Sequence, residues 1–440
     1  MRNSLFYIGF LSLLASLLAA CSQSETVTTY EQEAVKQQTV SPVSTPIPIS
    51  FSTYVPEYAT TRGAVDNLND LAREGFTVFA YHTGTSSFAD AVTAGTAIPN
   101  LMYNQLVTGT GTSPNITWTY DPLKYWPNNS TGNSDEKVSF FAYGTHADVT
   151  QAANNANDAT ALSSGIIKIS GNAHNGVPYL IYELADEVDI NNMRDVLVAE
   201  PILNQTRQNL DESIQFRFRH ALSALGFKVS AVYNGSSVQT IDANSFIRIE
   251  EIVAQVALPS KAKLNLNVGD SDDVTWEEIE GTQTPTVTFR LSAYNDDNTA
   301  NINDNLRYQA ITSQTIADEM LTKGVGRSDT SPYATTTDPK AVTDVNGNNQ
   351  LFYFIPISGN KKFTITVKYH VYTRDSRMKY GLADATVEMS GTKTVNLSSS
   401  VGSLLWFNLQ LGLDAISISV DETFDHYWDT HKEETNNYNP

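Results

Sequence analysis

Short segments in which apolar and polar residues alternate recur along the chain from residue 47 onwards. Clear examples are residues 47–55, 214–222 and 363–372. A period of two puts successive side chains on opposite faces of an extended chain, so each segment predicts a half-buried β-strand. Gly, Pro, Asn and Asp, which favour turns, stand between the segments. The pattern predicts an all-β protein built of β-sandwiches.

The charge balance limits the partners of the chain. Its 440 residues include 28 Lys and Arg against 48 Asp and Glu, which gives a formal charge of −20. A surface this acidic repels phosphate backbones and anionic headgroups, so we expect no nucleic-acid partner. Charged residues make up 17% of the chain, below the ~25% that is usual for soluble domains. Thr, Ser, Asn and Gln must therefore cover much of the surface.

The first 21 residues have the pattern of an export signal. Arg2 precedes an apolar run over residues 5–18, and the small residues Ala19 and Ala20 lead to Cys21. The run is shorter than the ~20 apolar residues of a membrane span. It resembles the lipobox of a bacterial lipoprotein, in which the cysteine thiol receives a diacylglycerol and becomes the new N-terminus. The alternative is an ordinary signal peptide, in which the cysteine stands by chance.

Cys21 is the only cysteine in the chain, which excludes an internal disulfide and a cysteine metal cluster. We expect a lipoprotein signal peptide at residues 1–20 and a flexible, Pro-containing linker at 21–46. The domain ranges that we predict after it are an N-terminal β-sandwich at 47–210, a C-terminal β-sandwich at 211–430 and a polar tail at 431–440.

Three local features carry further expectations. Gly226 interrupts an apolar strand segment, which predicts a bulge or kink there. Residues 86–112 are rich in Gly, Thr and Ala, which predicts loops with one strand near residue 101. Leu68 and Leu71 stand three apart, as on one helical turn.

Four stretches together resemble the fimbrillin (Mfa-like) family of type V pilus subunits. They are GFTVFAY at residues 75–81, WTYDPLKYWP at 118–127 followed by VSFFAY at 138–143, FRFRHALS at 216–223, and AISISV at 415–420 with Trp428 nearby. The resemblance runs from Cys21 to about residue 430. It implies two transthyretin-like β-sandwich domains in tandem, export as a lipoprotein and assembly into a fimbrium on the outer membrane.

The family also implies a route of assembly. The lipidated precursor keeps its first strand, a protease that cuts after arginine removes that strand, and a C-terminal strand of a neighbouring subunit fills the vacated groove. The implied partners are other fimbrial subunits, the outer-membrane lipid through Cys21, and a ligand on a host or bacterial surface. Such a subunit needs no cofactor and is not an enzyme.

The resemblance assigns the displaced first strand to residues 47–55, with Ile47, Ile49 and Phe51 pointing one way. Arg62 lies in a Thr-rich, Gly-flanked loop after that strand, as sites of proteolysis often do. We expect cleavage after Arg62, with Arg73 as the alternative. An uncut, ordinary surface arginine is the competing interpretation of Arg62.

The last apolar pattern runs from residue 404 to 420 and ends in a strict alternation of Ile416, Ile418 and Val420. These three residues are the expected donor strand, which fills the groove of a neighbour in place of Ile47, Ile49 and Phe51. Gly412 would let the segment swing away from its own domain.

Signals for other chemistry are weak. The seven histidines are scattered and form no HExxH motif, and His220, inside a strand segment, fits a structural role. The acidic stretches at 270–273, 296–297 and 344–348 could hold Ca²⁺, although solvated turns are the better interpretation. Trp118, Tyr125 and Trp126 could stack on sugars or pack in a core, and the second is favoured.

Two other functions compete with the fimbrial one. A monomeric surface lipoprotein that binds glycans in an uptake system would need an exposed aromatic platform and a permanent first strand. An exported glycan-degrading enzyme would need two carboxylates that converge across a cleft.

Overall fold

The computed structural model describes residues 46–54, 68–127, 135–146, 164–190, 193–207, 213–231, 244–268, 274–290, 340–342, 349–396, 398–411 and 423–425. Strands dominate these ranges and the two helices are short, so the predicted all-β class is confirmed. Neither of these helices is long or apolar enough to cross a membrane.

The strands and helices of these ranges follow one another along the chain. They are β1 (Phe51–Tyr54), α1 (Leu68–Glu74), β2 (Phe76–His82), α2 (Phe88–Thr93), β3 (Met102–Thr112), β4 (Asn115–Thr119), β5 (Val138–Gly144), β6 (Gly165–Ile169), β7 (Tyr179–Glu183), β8 (Glu187–Val188), β9 (Leu197–Ala199), β10 (Ile202–Gln205), β11 (Ile214–His220), β12 (Ser223–Ala231), β13 (Ser245–Val256), β14 (Leu258–Asn265), β15 (Trp276–Gln283), β16 (Thr286–Arg290), β17 (Lys340–Ala341), β18 (Phe352–Phe354), β19 (Asn360–Arg374), β20 (Leu382–Asn396), β21 (Leu404–Leu411) and β22 (Thr423–Asp425).

The first sheet has the order β1-β11-β9-β5-β2-β3-β4, with β10 also paired to β5. Its central strands are buried on both faces, as β5 shows along its whole length. One face, with Phe76 and Val78, belongs to a cluster that also holds Leu71 of α1. The opposite face, with Phe79 and Tyr81, belongs to the largest core among the described residues.

Three further sheets share that largest core. Their orders are β15-β14-β7-β6, β20-β19-β13-β16-β8 and β17-β12-β21-β22, with β18 also paired to β12. Pairing crosses the boundary predicted at residue 211: β7 pairs with β14, β8 pairs with β16, and β11 lies in the first sheet. The domain ranges and their tandem arrangement therefore stay predictions.

Two local expectations are corrected and one is confirmed. Residues 86–112 are not mainly loop, because they form α2 and the long strand β3, and β3 confirms the one strand that was expected near residue 101. Ser87 caps α2 by accepting a hydrogen bond from the Asp90 backbone N–H, a spacing that is visible in the sequence. The helical turn expected at Leu68 and Leu71 is present as α1.

The bulge expected at Gly226 is wrong. Strand β12 runs in regular parallel register with β21 through the pair Gly226 and Trp406. A Cβ on Gly226 would lie 2.6 Å from an atom of the Trp406 ring and 2.9 Å from a Leu351 methyl carbon. Glycine stands here because the indole packs directly on the strand backbone.

Candidate functional site: the groove of the first strand

Strand β1 lies at one end of the first sheet and pairs in parallel with β11. The register sets Phe51 beside Ile214 and Thr53 beside Phe216. The Ile214 backbone N–H donates to the Ser50 carbonyl at 2.8 Å, and the Ser213 hydroxyl donates to the Ser52 hydroxyl at 2.8 Å. Backbone hydrogen bonds to β11 and one side-chain hydrogen bond therefore hold the first strand at this edge of the groove.

The residues just before β1 hydrogen bond to the segment that follows β4, the last strand at the other end of the sheet order. The Ile49 N–H donates to the Lys124 carbonyl at 2.9 Å, and the Trp126 N–H donates to the Ile47 carbonyl at 2.9 Å. Pro48 and Tyr125 face each other in an antiparallel bridge between these bonds. Residues 124–126 follow β4, which is the last strand of the sheet order.

Residues 47–54 thus hydrogen bond on one side to β11 and on the other to residues 124–126, which follow the end strand β4. Without them, two rows of backbone donors and acceptors, one on β11 and one on residues 124–126, would lose their partners. Unpaired strand edges of this kind bind another extended segment readily.

The side chains of this segment alternate as the sequence predicted. Ile49 and Phe51 are 1% and 6% exposed, Ile47 is half-buried, and Pro48 and Ser50 are exposed. Full burial of an aliphatic or aromatic side chain contributes about 1.5–3 kcal/mol. The first strand is therefore held by side chains as well as by its backbone.

Four aromatic rings surround Phe51. The Phe216 ring stacks on it at 5.8 Å between centroids, and Tyr120 tilts against it at 5.4 Å. Phe76 and Phe140 meet it edge-on at 6.2 Å and 6.3 Å. Such offset and edge-on contacts are the favoured geometries between aromatic rings.

Tyr120 packs against the Phe51 ring and also donates a hydrogen bond to the first strand. Its hydroxyl donates to the Ile49 carbonyl at 2.8 Å, and burial raises the pKa of this tyrosine. It therefore stays a neutral donor at physiological pH.

The tryptophans near the groove point into the protein. Trp118 packs on Phe76 at 5.0 Å and Trp126 packs on Phe140 at 5.9 Å. Tyr125, which stands between them in the sequence, is largely exposed, at 46%. The core interpretation of Trp118 and Trp126 fits these contacts, and a three-ring sugar platform does not.

Of the two arginines considered for cleavage, only Arg73 lies among the described residues. Arg62 lies outside the described residues. Arg73 lies in the last turn of α1, and its guanidinium pairs with Glu74 at 3.0 Å and Asp70 at 2.7 Å. The hydrogen bond to Glu74 is the main cause that raises the pKa of Arg73. Its neighbour Ala72 is buried against the core.

The lipidation residue Cys21 and the expected donor residues Ile416, Ile418 and Val420 also lie outside the described part of the chain. Strand β21 before the donor segment is buried and pairs in parallel with β12. After that segment, β22 pairs antiparallel with the start of β21.

His220 has the structural setting expected for it. It is buried, and its Nδ1 hydrogen bonds to a carboxylate oxygen of the buried Asp195. The other Asp195 oxygen accepts the Val196 N–H at 2.7 Å. Within the described ranges no group of three or more His, Cys, Asp or Glu is placed to hold a metal ion. The acidic stretches at 270–273, 296–297 and 344–348 lie outside those ranges.

Sequence reasoning found the first strand but missed the walls of its groove. It named Tyr120 and Phe76 only as parts of motifs and did not pair residues 124–126 with the strand. The alternation in β11, which puts Phe216 on the inner face, was visible in the sequence. The contact with Phe51 depends on strand order, which no local pattern encodes.

A substitution at Thr53 tests how well the first strand fits its groove. Its Oγ1 is buried, and no hydrogen-bond partner for it is found among the described residues. We expect Thr53→Val to raise the free energy of unfolding by about 1 kcal/mol, because the valine removes an unsatisfied hydroxyl at similar volume. Urea unfolding measures this change. The exposed Ser50→Ala is the control and should leave stability unchanged; a less stable Thr53→Val would mean that the hydroxyl is satisfied.

Comparison with solved structures finds proteins of similar fold. The chain is similar to a fimbrial protein from Bacteroides vulgatus, with a TM-score of 0.52 and 20% identity over 86% of this chain and 98% of that one. Two further structures are only distantly similar, with TM-scores below 0.5. A candidate cell adhesion protein from Bacteroides uniformis gives 0.43 at 11% identity, over 86% and 97% of the two chains. The fimbrial anchor protein Mfa2 from Porphyromonas gingivalis gives 0.33 at 9%, over 86% and 99%.

No family model matches the sequence, and a comparison with curated proteins gives no match. At 20% identity the Bacteroides vulgatus structure establishes a shared fold. The resemblance to the fimbrillin family is confirmed at the level of fold: this chain folds as that fimbrial protein does.

Proposed function

We propose that this protein is a structural or tip subunit of a type V pilus, activated by loss of its first strand and assembled by strand exchange. The observation that carries the proposal is the double pairing of residues 47–54, which hydrogen bond to β11 on one side and to residues 124–126 on the other. A segment in this position can be replaced by another strand without rearrangement of the sheet.

The physics of assembly is β-augmentation. Loss of the first strand leaves backbone groups unpaired on both rims and exposes the apolar pocket of Phe51, so the open groove is unstable in water. A strand from a neighbouring subunit restores both kinds of contact. The exchange is directional when the incoming strand fits better than the strand that left.

The geometry of Arg73 disfavours cleavage there, which leaves Arg62 as the proposed site. A protease binds its substrate as an extended segment, and exposed loops supply such segments. Arg73 is helical and ion-paired, beside the buried Leu71 and Ala72. Cleavage there would require α1 to unwind and to withdraw Leu71 from the core.

The remaining parts of the proposal come from the sequence. Lipid on Cys21 tethers the precursor to the outer membrane at the cell surface, and residues 21–46 hold the folded body away from it. Ile416, Ile418 and Val420 form the strand that this subunit donates. Adhesion to a host or bacterial surface is the role of the finished fimbrium. The competing proposal is the monomeric glycan-binding lipoprotein, although the burial of Trp126 removes part of the platform it needs.

Immunogold electron microscopy of expressing cells separates these two proposals. We expect antibody against this protein to label filaments that extend from the cell. A deletion strain is the control for antibody specificity. Even labelling of a smooth cell surface, without filaments, would overturn the fimbrial proposal and favour the glycan binder.

Cleavage is tested by a pair of matched substitutions. We expect Arg62→Ala to leave a folded precursor that forms no polymer ladder on unboiled gels, because the first strand stays in its groove. Arg73→Ala is the control and should polymerise normally. N-terminal sequencing of wild-type filaments should begin at Gly63. A mature N-terminus at Glu74 would move the cut to Arg73, and one at Cys21 would remove proteolytic activation.

A further inference from the structure

The pocket that holds Phe51 restricts the size and shape of its side chain more than the rest of the groove does. Its walls come from three different strands, through Phe76, Phe140 and Phe216, and all three rings are 0% exposed. Tyr120 closes the fourth side, with its hydroxyl fixed on the Ile49 carbonyl. Because the three phenylalanine walls are fully buried, we expect the pocket to relax only partly around a smaller side chain.

The rings behind these walls explain that rigidity. Phe76 also contacts Trp118 and Phe218 at 5.0 Å and 5.4 Å, and Phe140 also contacts Trp126 at 5.9 Å. A side chain smaller than phenylalanine would leave a void, which is unfavourable in proportion to its volume. It would also lose the ring-on-ring contacts, which contribute beyond buried area.

We infer that this groove selects its incoming strand by an aromatic side chain at the Phe51 position, and that its proper donor is a strand of a different subunit. The inference rests on the proposed strand exchange. The partner is an extended segment with two aliphatic residues and then one aromatic residue at alternate positions, as in Ile47, Ile49 and Phe51.

The donor segment of this chain lacks that pattern. Aligned in the direction of the first strand, Ile416 and Ile418 match Ile47 and Ile49, but Val420 meets the aromatic pocket. Reversing the segment brings Ile416 to that pocket, which is again aliphatic. The donor segment of a second copy of this chain is therefore a poor occupant.

A shift of register does not repair the mismatch. Moving the segment in the same direction until Phe424 reaches the pocket puts Glu422 at the position of Ile49, which is 1% exposed. An unpaired carboxylate is strongly disfavoured at so buried a site. The backbone of β22, which contains Phe424, is moreover paired with β21 of its own chain.

Peptide binding to the nicked full chain tests the inference. A specific protease site replaces part of residues 55–67, the folded protein is cut there, and circular dichroism verifies that it stays folded. Fluorescein-labelled peptides of residues 46–53 and 415–422 then compete for the groove, with anisotropy as the readout. Each is compared with its variant at the pocket position, Phe51→Val or Val420→Phe.

We expect Phe51→Val to weaken the first peptide at least about tenfold and Val420→Phe to strengthen the second by a similar factor, from the void that valine leaves. The matched control is Ser419→Phe, which adds the same ring at the position aligned with the exposed Ser50 and should give no gain. Equal binding of the native and Val420→Phe peptides, or an equal gain from Ser419→Phe, would overturn the inference alone. If no peptide binds the groove, including that of residues 46–53, the result contradicts both the proposed strand exchange and this inference.

The intact chain gives a second measurement, which does not depend on the nick. Leucine is placed at each of two neighbouring inward positions, as Phe51→Leu and Ile49→Leu. We expect Phe51→Leu to lower the Tm clearly more, because an aliphatic site accepts a volume-conserving exchange and an aromatic pocket does not. An equal or smaller effect of Phe51→Leu would contradict an aromatic pocket.

Discussion

Residues 47–54 connect β11 to the segment that follows β4, because they pair with β11 in parallel and hydrogen bond to residues 124–126 in the antiparallel sense. Phe51 anchors this segment, because its ring packs where Phe216, Tyr120, Phe76 and Phe140 meet. Under the proposed strand exchange, the contacts that hold this segment are those that a strand of a neighbouring subunit has to replace.

Another edge of the molecule is protected against strand addition. Strand β15 ends its sheet, but a register shift interrupts its pairing with β14. It carries largely exposed glutamates, of which Glu280 and Glu277 pair with Lys261 and Lys263. Charges and irregularities of this kind discourage pairing between chains. The groove of the first strand has an apolar, regular interior instead, which suits it to the proposed strand exchange.

Local patterns predicted much of the fold and part of the site. Period-two alternation located β1, β11 and β19, and it identified Ile49 and Phe51 as inward residues. It could not give the partner of each strand, because pairing such as β7 with β14 depends on contacts between distant segments. The Gly226 expectation failed for a similar reason, since the indole that excludes a Cβ comes from Trp406, far along the chain. Helix α2 was missed although its capping pair, Ser87 and Asp90, was present.

The central claim is that the first strand must leave its groove before this subunit can join another. The Ser52 and Ser213 hydroxyl oxygens lie 2.8 Å apart, so the double change Ser52→Cys with Ser213→Cys can form a disulfide of ~2.05 Å length that ties the strand to the edge of β11. The measurement is the polymer ladder that this variant forms together with the other fimbrial subunits, in cells grown with and without reductant, with Ser52→Cys alone as control. The account predicts monomer when the disulfide is intact and a normal ladder after reduction. A normal ladder from chains that still hold the disulfide would contradict it.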